Sequence, residues 1–536
     1  MRSVIFLLGS LAAGALAADS TPAVAIIPKP VTLTTGSGVF TLKPATVITT
    51  DRATARVGRI LADSLAPATG FTLRVSEAPA AGGISLAIDP SLTRLGDEGY
   101  LLTVTSREVS IRAPKPAGVF YGTLSLRQLL PPAVYSKQAQ AGVRWTVPAV
   151  KIEDSPRFVW RGAMLDVVRH FMPKDAVLRF IDLLAMQKMN TFHFHLTDDQ
   201  GWRIQIRKYP KLTEIGAWRK QTRIGHEMES KEFDGKPHGG FYTQQDIRDI
   251  VAYAADRFIT VVPEIEMPGH ATAAIAAYPE LGNTGKPIEV GTYWGVFPSI
   301  FSPRETTITF LQDVLTEVME LFPGKFIHIG GDEVPKDEWK ASPELQALMK
   351  QLGLKDEEQM QSWFVGRMDK FLSANGRRLV GWDEILEGGL AQGATVMSWR
   401  GIEGGIAAAK AGHDVVMTPN DYIYLNQYQG DKQKEPLAIG GFLPLEKVYS
   451  YDPVPKDFAS GEARHVLGTQ GNIWTEYMDG PRHMEYMAFP RLAAIAEVAW
   501  TPLARKAGFE EFRSRIRVQE QRWKAFGSNF RPVDKN

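Results

Sequence analysis

Two adjacent carboxylates sit in the run His328-Ile-Gly-Gly-Asp332-Glu333. Carboxyl groups so placed can give and take protons at a reacting bond. Other reactive types recur in short clusters along the chain: Asp166-Val-Val-Arg169-His170, His193-Phe-His195-Leu-Thr-Asp198-Asp199 and Glu264-Ile-Glu266-Met-Pro-Gly-His270. Further on come Trp382-Asp-Glu384, Ser398-Trp399-Arg400, Tyr422-Ile-Tyr424-Leu-Asn426 and Trp474-Thr-Glu476. Flat rings such as Trp382, Trp399 and Trp474 stack on the C–H faces of sugars, while carboxylates, amides and arginine grip hydroxyls. No GxxxxGK[ST] run and no GxGxxG run after a strand offers a phosphate cradle. A sugar hydrolase fits this set best. Such enzymes normally place two carboxyls about 5 to 9.5 Å apart around the scissile bond. Asp332 and Glu333 are neighbours, an odd arrangement for that task, because successive side chains on extended backbone point in different directions. They can serve one sugar if Glu333 protonates the leaving oxygen and Asp332 addresses another group.

These clusters need a frame that brings them together. From about residue 156 the sequence alternates strand and helix. Expected strands are Gly162–Asp166, Thr191–Leu196, Thr260–Glu264, Phe326–Ile329, Arg378–Gly381, Thr395–Ser398, Val415–Met417 and Val466–Thr469. Helical spacing lies between most of them, as in Lys174–Lys188, Thr243–Asp256, Thr306–Leu321 and Glu357–Ala374. Eight such units spell a (β/α)8 barrel, whose site forms at the carboxyl ends of its strands. Every cluster above falls at such an end. Residues 19–155 have another texture: short alternating runs such as Ile84–Ile88 and Val109–Ile111, with helical spacing over Ala53–Leu65 and Ala117–Leu130. They read as a smaller α+β domain without evident chemistry. The expected organisation is therefore an α/β chain with a signal peptide at 1–18, an accessory domain at 19–155, the barrel at 156–505 and a helix within 506–536 packed on the barrel.

Composition narrows the function further. The 536 residues hold 61 lysines and arginines against 60 acids, giving no bulk reason to bind nucleic acid or an anionic membrane. The absence of cysteine excludes thiol nucleophiles, disulfides and zinc–cysteine sites. Arg2, the apolar stretch Val4–Leu16 and the small-x-small run Ala15-Leu16-Ala17 read as a cleaved export signal, implying a periplasmic or extracellular protein. No later apolar run is long enough to span a bilayer. The charge balance leaves a homodimer open.

The same segments carry a resemblance. The His328–Glu333 run looks like the signature of glycoside hydrolase family 20, the β-N-acetylhexosaminidases. Pro156–His170, His195–Asp199, Pro263–His270, Gly381–Glu384, Tyr424–Asn426 and Trp474–Tyr477 resemble family segments, in family order, over about residues 150 to 500. The resemblance implies exo-cleavage of terminal N-acetylglucosamine or N-acetylgalactosamine, without a cofactor or metal. The sugar's own 2-acetamido oxygen attacks C1, one of the exceptions to the two-carboxylate scheme. It casts Glu333 as general acid, then base, and Asp332 as the carboxylate that accepts the acetamide N–H. Trp382, Trp399 and Trp474 resemble a box around the acetamide methyl and sugar ring. Tyr424 resembles the tyrosine that aims the acetamide oxygen. Arg169 resembles the residue holding O3 and O4, and Asn426 and Glu476 those binding O4 and O6. Asp198 and His270 resemble a supporting network for Glu333. His193 and His195 read as core-facing or supporting polar groups. Two close carboxyls in a part-dry pocket should not both ionise, so Glu333 is expected to be raised and Asp332 lowered. Two rival readings remain: a metal-dependent barrel hydrolase, suggested by His193, His195, His270 and His328, and a non-catalytic carbohydrate-binding barrel. Against the first, the second strand carries the histidine pair rather than the first, and activity that survives a chelator would exclude it; the intact Glu333 argues against the second.

Overall fold

The computed structural model describes residues 24–78, 80, 82–456 and 458–535. The expected signal segment lies outside these residues. The first domain is one sheet of seven strands: β1 (Thr32–Thr41), β2 (Val47–Thr50), β3 (Arg74–Ser76), β4 (Ile84–Ile88), β5 (Tyr100–Val104), β6 (Val109–Ala113) and β7 (Thr146–Asp154), in the order β1-β7-β5-β6-β4-β2-β3. Helices α1 (Ala55–Thr69) and α2 (Pro116–Leu129) complete the α+β layer. Alternation decides which side is core: Ile84 and Leu86, Leu102 and Val104, and Val109 and Ile111 are buried. The sequence does not announce β1. Its run TLTTGSGVFT is mostly exposed and pairs along one edge only, with β7.

Eight parallel strands then close a barrel in sequence order: β8 (Trp160–Asp166), β9 (Thr191–His195), β10 (Thr260–Glu264), β11 (Phe326–His328), β12 (Arg378–Trp382), β13 (Thr395–Ser398), β14 (Val415–Met417) and β15 (Val466–Ile473). All eight coincide with the expected strands to within a few residues. Helices α3 (Lys174–Met186), α4 (Gln244–Ala255), α5 (Glu305–Leu321), α6 (Glu357–Ala374), α7 (Glu403–Lys410), α8 (Leu445–Ser450) and α9 (Arg491–Trp500) lie in the connections and after β15. Between β12 and β13 there is only a 3-10 turn, Asp383–Leu386. The barrel core is apolar midway, with Met164, Val262, Val380, Met397 and Val416 buried together.

The first domain joins the amino-terminal side of the barrel through buried charge. Lys188, just before β9, donates to Asp154 at 3.0 Å and to Tyr100 at 2.8 Å, all three buried. Trp500 Nε1 donates to the other Asp154 oxygen at 3.0 Å. Beside them Arg161 makes two hydrogen bonds to Glu98, at 2.7 and 2.9 Å. The last helix, α10 (Phe509–Phe526), packs on the barrel, with Trp523 4.9 Å from Phe489. It also ties down the first domain, because Arg522 donates to the carbonyls of Ala25 and Gln128 at 2.6 and 2.7 Å. Among the described residues, no helix is long and apolar enough to cross a membrane.

Candidate active site

The chain leaves β11 through a sharp turn. Gly330 and Gly331 have φ of 67° and 95°, and Glu333 itself has φ of 48°. Glycine is required at 330: a Cβ there would lie 1.7 Å from a Glu266 oxygen. Gln361 on α6 pins the turn by donating to the Gly331 carbonyl at 2.7 Å. The two neighbouring carboxyls therefore diverge because of a left-handed turn, not because the backbone is extended as the sequence suggested. Asp332 is buried, while the Glu333 side chain keeps 40% of its surface exposed. Lys336 pairs with Glu358 at 3.0 Å.

Around this turn lies a cavity of about 360 Å3 at the carboxyl ends of the strands. Nine of the eleven site residues expected from sequence line it: Arg169, His270, Asp332, Glu333, Trp399, Tyr424, Asn426, Trp474 and Glu476. Asp166 positions two of the walls. One of its oxygens accepts the backbone N–H groups of Val168 and Arg169, and the other accepts from Thr475 N and Oγ1, so the ends of β8 and β15 are held together. Trp399 and Tyr424 stack, with ring centres 6.1 Å apart and 22° between planes. Trp474 lies 6.4 Å from Tyr424 and carries the Arg169 guanidinium 4.9 Å above its ring. Three buried oxygens in the wall have no protein partner: Asp332 Oδ1, Asn426 Oδ1 and Glu476 Oε2. Buried polar atoms are seldom left so in a finished core. Ring faces on one side and unpaired acceptors on the other match a polar ligand with an apolar face.

The remaining two residues stand behind the wall. Trp382 is 1% exposed, and its Nε1 donates to Glu264 at 2.9 Å; its ring is 6.0 Å from Trp474. It thus backs the aromatic wall from below. Asp198 accepts from Arg169 at 2.7 Å and faces His270 Nδ1 at 3.1 Å. His270 Nε2 faces Glu333 at 3.6 Å and Asp332 at 3.7 Å.

The chain matches the family model for the glycosyl hydrolase family 20 catalytic domain over residues 158–503, and that for domain 2 of the same family over 23–155. The chain belongs to glycosyl hydrolase family 20. It is 47% identical over 496 residues to a beta-hexosaminidase of Porphyromonas gingivalis, covering 92% of this chain and 62% of that protein. It is 40% identical over 419 residues to a beta-hexosaminidase of Vibrio furnissii, covering 77% of this chain and 66% of that protein. The chain thus spans somewhat less than two thirds of the length of these curated relatives. A solved family 20 beta-N-acetylhexosaminidase from Streptomyces coelicolor superposes with a TM-score of 0.82 at 35% identity, covering 96% of this chain and 99% of that one.

One expectation for the family 20 pair is reversed. Burial pushes the Asp332 carboxyl up to about 7; the His270 charge opposes this and the Glu333 and Glu264 charges reinforce it. The His270 imidazole, facing it at 3.6 Å, holds Glu333 below its ordinary value despite partial burial. The exposed rim position of Glu333 and its imidazole partner account for the inversion. Burial likewise pushes Glu476 up to about 7, against the pull of Arg169. Burial holds the Tyr424 phenol well above its ordinary value, so its O–H remains a donor.

Sequence reasoning missed several contributors. Glu384 accepts from Trp399 Nε1 at 2.9 Å and sets that ring's angle. Asp199 faces His270 Nδ1 at 3.0 Å and accepts from the Thr272 amide at 3.1 Å. Gln200 holds the Arg169 Nε at 3.0 Å. Glu384 and Asp199 lie inside the reactive clusters and Gln200 directly follows one, but only contacts in the folded chain show what they hold. His193, His195 and His328 do face the barrel interior, where they surround Glu264. Among the described residues, four sets have ligand atoms within 4.8 Å of one another and could gather around a cation: His193, Glu264 and His328; His195, Glu264 and Glu266; Asp198, Asp199 and His270; and His270, Asp332 and Glu333. A slightly larger cavity, about 400 Å3, lies between the first domain and α3 and α4. Its Arg257 and Asp182 are spent on each other at 2.7 Å, and it holds no comparable set of unpaired acceptors.

Proposed function

We propose that this family 20 chain is an exo-acting β-N-acetylhexosaminidase that removes terminal N-acetylglucosamine or N-acetylgalactosamine with retention. The observation that carries this reading is the left-handed turn that buries Asp332, one oxygen unpaired, while leaving Glu333 on the rim beside His270. A buried carboxylate with a free oxygen suits the acetamide N–H; a half-exposed acid on the rim suits the oxygen of a departing alcohol. In this reading the acetamide oxygen bonds to C1 as the C1–O bond breaks. The leaving oxygen takes the Glu333 proton, and positive charge on the cyclised acetamide is balanced by Asp332. Water, deprotonated by Glu333, then attacks C1 and reopens the ring. The Tyr424 O–H steers the acetamide oxygen, Trp399, Trp474 and the backing Trp382 enclose the methyl and sugar ring, and Arg169, Asn426 and Glu476 hold the hydroxyls. The chain needs no cofactor for these steps. Its similarity to proteins named beta-hexosaminidase supports the substrate class.

The test is release of p-nitrophenol from its β-N-acetylglucosaminide beside the plain β-glucoside, with and without EDTA, for wild type and Asp332→Ala. Cleavage of the acetamido sugar alone, indifferent to chelator and crippled in the variant, is the expected result. Equal cleavage of the glucoside would remove the acetamide from the nucleophile's role. Loss of activity to EDTA would point to metal-dependent hydrolysis, and binding without cleavage to a carbohydrate-binding barrel.

We further infer export, from Arg2, the apolar run Val4–Leu16 and the Ala15-Leu16-Ala17 site. Mass spectrometry of the secreted protein should find a new amino terminus near Asp19. A homodimer is compatible with the near-neutral charge, and the mass in solution decides it.

A further inference from the structure

The polar cluster below the sugar pocket is larger than the site requires for contact. Glu264, the last residue of β10, is fully buried and meets four rings. Its Oε1 accepts from Trp382 Nε1 at 2.9 Å and lies 2.9 Å from His328 Nδ1. Its Oε2 accepts from His195 Nδ1 and lies 3.0 Å from His193 Nε2. His195 does not stop there: its Nε2 is 3.0 Å from Asp198 Oδ2. Asp198 in turn meets His270 at 3.1 Å, and His270 meets Glu333 at 3.6 Å. An unbroken line of contacts therefore runs from the barrel interior to the rim. With both nitrogens against carboxylate oxygens, His195 can satisfy both only as a double donor. Burial opposes its charge, but Glu264 and Asp198 overcome this and raise it to about 10.

Stability does not explain such a cluster. Buried ion groups cost desolvation and are often replaceable by apolar side chains without loss. The barrel positions beside it are apolar, with Met164 and Val262 in register with His193, Val380 in register with His328, and all three packed with Met397 and Val416. We propose that Glu264 and His195 are positioning residues for the acid step: Glu264 fixes His195, His195 orients Asp198, and Asp198 aims His270 at Glu333. The inference rests on the hexosaminidase reading above and extends it to two residues that touch no substrate.

The effect of a displaced acid depends on the leaving group. A 2,4-dinitrophenolate departs without a proton, whereas a phenolate needs one. Glu264→Gln and His195→Gln should each lower kcat/KM for phenyl β-N-acetylglucosaminide about tenfold more than for the dinitrophenyl glycoside, a part of what a general acid typically contributes. The double variant should fall no further than the worse single one, because both act along one line. Equal losses on the two glycosides, or losses that multiply, would overturn the proposal. So would failure of both variants to fold, which would mark the cluster as structural. Wild type that cleaves neither glycoside would overturn the activity itself; an active wild type with leaving-group-blind variants overturns this inference alone.

Discussion

The two ends of the barrel both bury charge, and they treat it in opposite ways. At the amino-terminal end the Asp154 carboxylate accepts from Lys188, Tyr100, Trp500 and the Val31 amide, and Arg161 is closed off by Glu98. At the carboxyl end Asp332, Asn426 and Glu476 each keep a buried oxygen without a protein partner. Satisfied charge serves as a joint between domains. Unsatisfied charge next to ring faces is a site waiting for hydrogen bonds from something else. Substitutions at the two ends should therefore fail differently.

The largest effect belongs to the rim. Glu333→Gln keeps the shape and removes the proton donor, so activity toward an alkyl or disaccharide leaving group should drop about 10²- to 10⁴-fold. Its melting temperature should stay close to wild type, since the side chain is 40% exposed. A matching loss of thermal stability would blur the distinction between the two ends.

The opposite outcome is expected at the joint. Lys188→Met strands the buried Asp154 carboxylate without its cation, a change that costs about 3–5 kcal/mol in comparable buried pairs. Denaturant unfolding reads this loss, while kcat of the folded enzyme should be unchanged. A variant with normal stability and damaged kcat would show that the first domain influences the chemistry.

How much of this contrast was readable from sequence follows from local signal. The barrel strands were legible because runs such as Thr260–Glu264 and Val415–Met417 are short, apolar and flanked by helical spacing. Edge strand β1 was not, because a Thr- and Gly-rich exposed run has no buried alternation to reveal it. At the site, Asp332, Glu333 and the three tryptophans were named by motif, while Glu264 and Glu384 gained their roles only from contacts with Trp382 and Trp399 on other strands. The titration order also escaped. It depends on which carboxyl the turn at Gly330-Gly331 buries, and a pair of letters does not carry that.

That order is testable as a pH profile. With Asp332 near 7 and Glu333 below its ordinary value, the free pair carries one proton between those limits. The productive arrangement, proton on Glu333 and charge on Asp332, is a fixed fraction of that form. kcat/KM should hold steady below about 7 and fall as pH rises through about 7, when the last proton leaves. At the acid end it should fall at a pH below the ordinary glutamate value, when the pair takes a second proton. Asp332→Asn should abolish the limb near 7 and shift the residual activity's fall to lower pH, because only the lowered Glu333 then titrates. A limb near 7 that survives in the variant would assign it to another group, with Glu476, also pushed up to about 7, as the first to examine.

The smallest expected effect sharpens what the unpaired acceptors select. Asn426 lines the cavity with a buried amide oxygen lacking a protein partner, and in the proposed sugar-binding role, where Asn426 and Glu476 hold O4 and O6, it would lie near the sugar's C6. A neutral amide there does not repel an anionic C6 substituent, whereas a carboxylate would. Asn426→Asp adds a negative charge at constant shape, close to where a 6-sulfate would sit. Two like charges several ångströms apart near a protein surface repel by about 1 kcal/mol or more, which is about fivefold. The ratio of kcat/KM for the 6-sulfated to the plain N-acetylglucosaminide should fall by that factor, with the plain substrate little changed. Added salt should weaken the discrimination, since the site opens to solvent and exposed charges are screened. A ratio indifferent to the substitution would mean that Asn426 faces the sugar elsewhere, and that its free oxygen answers a hydroxyl donor rather than governing charge at C6.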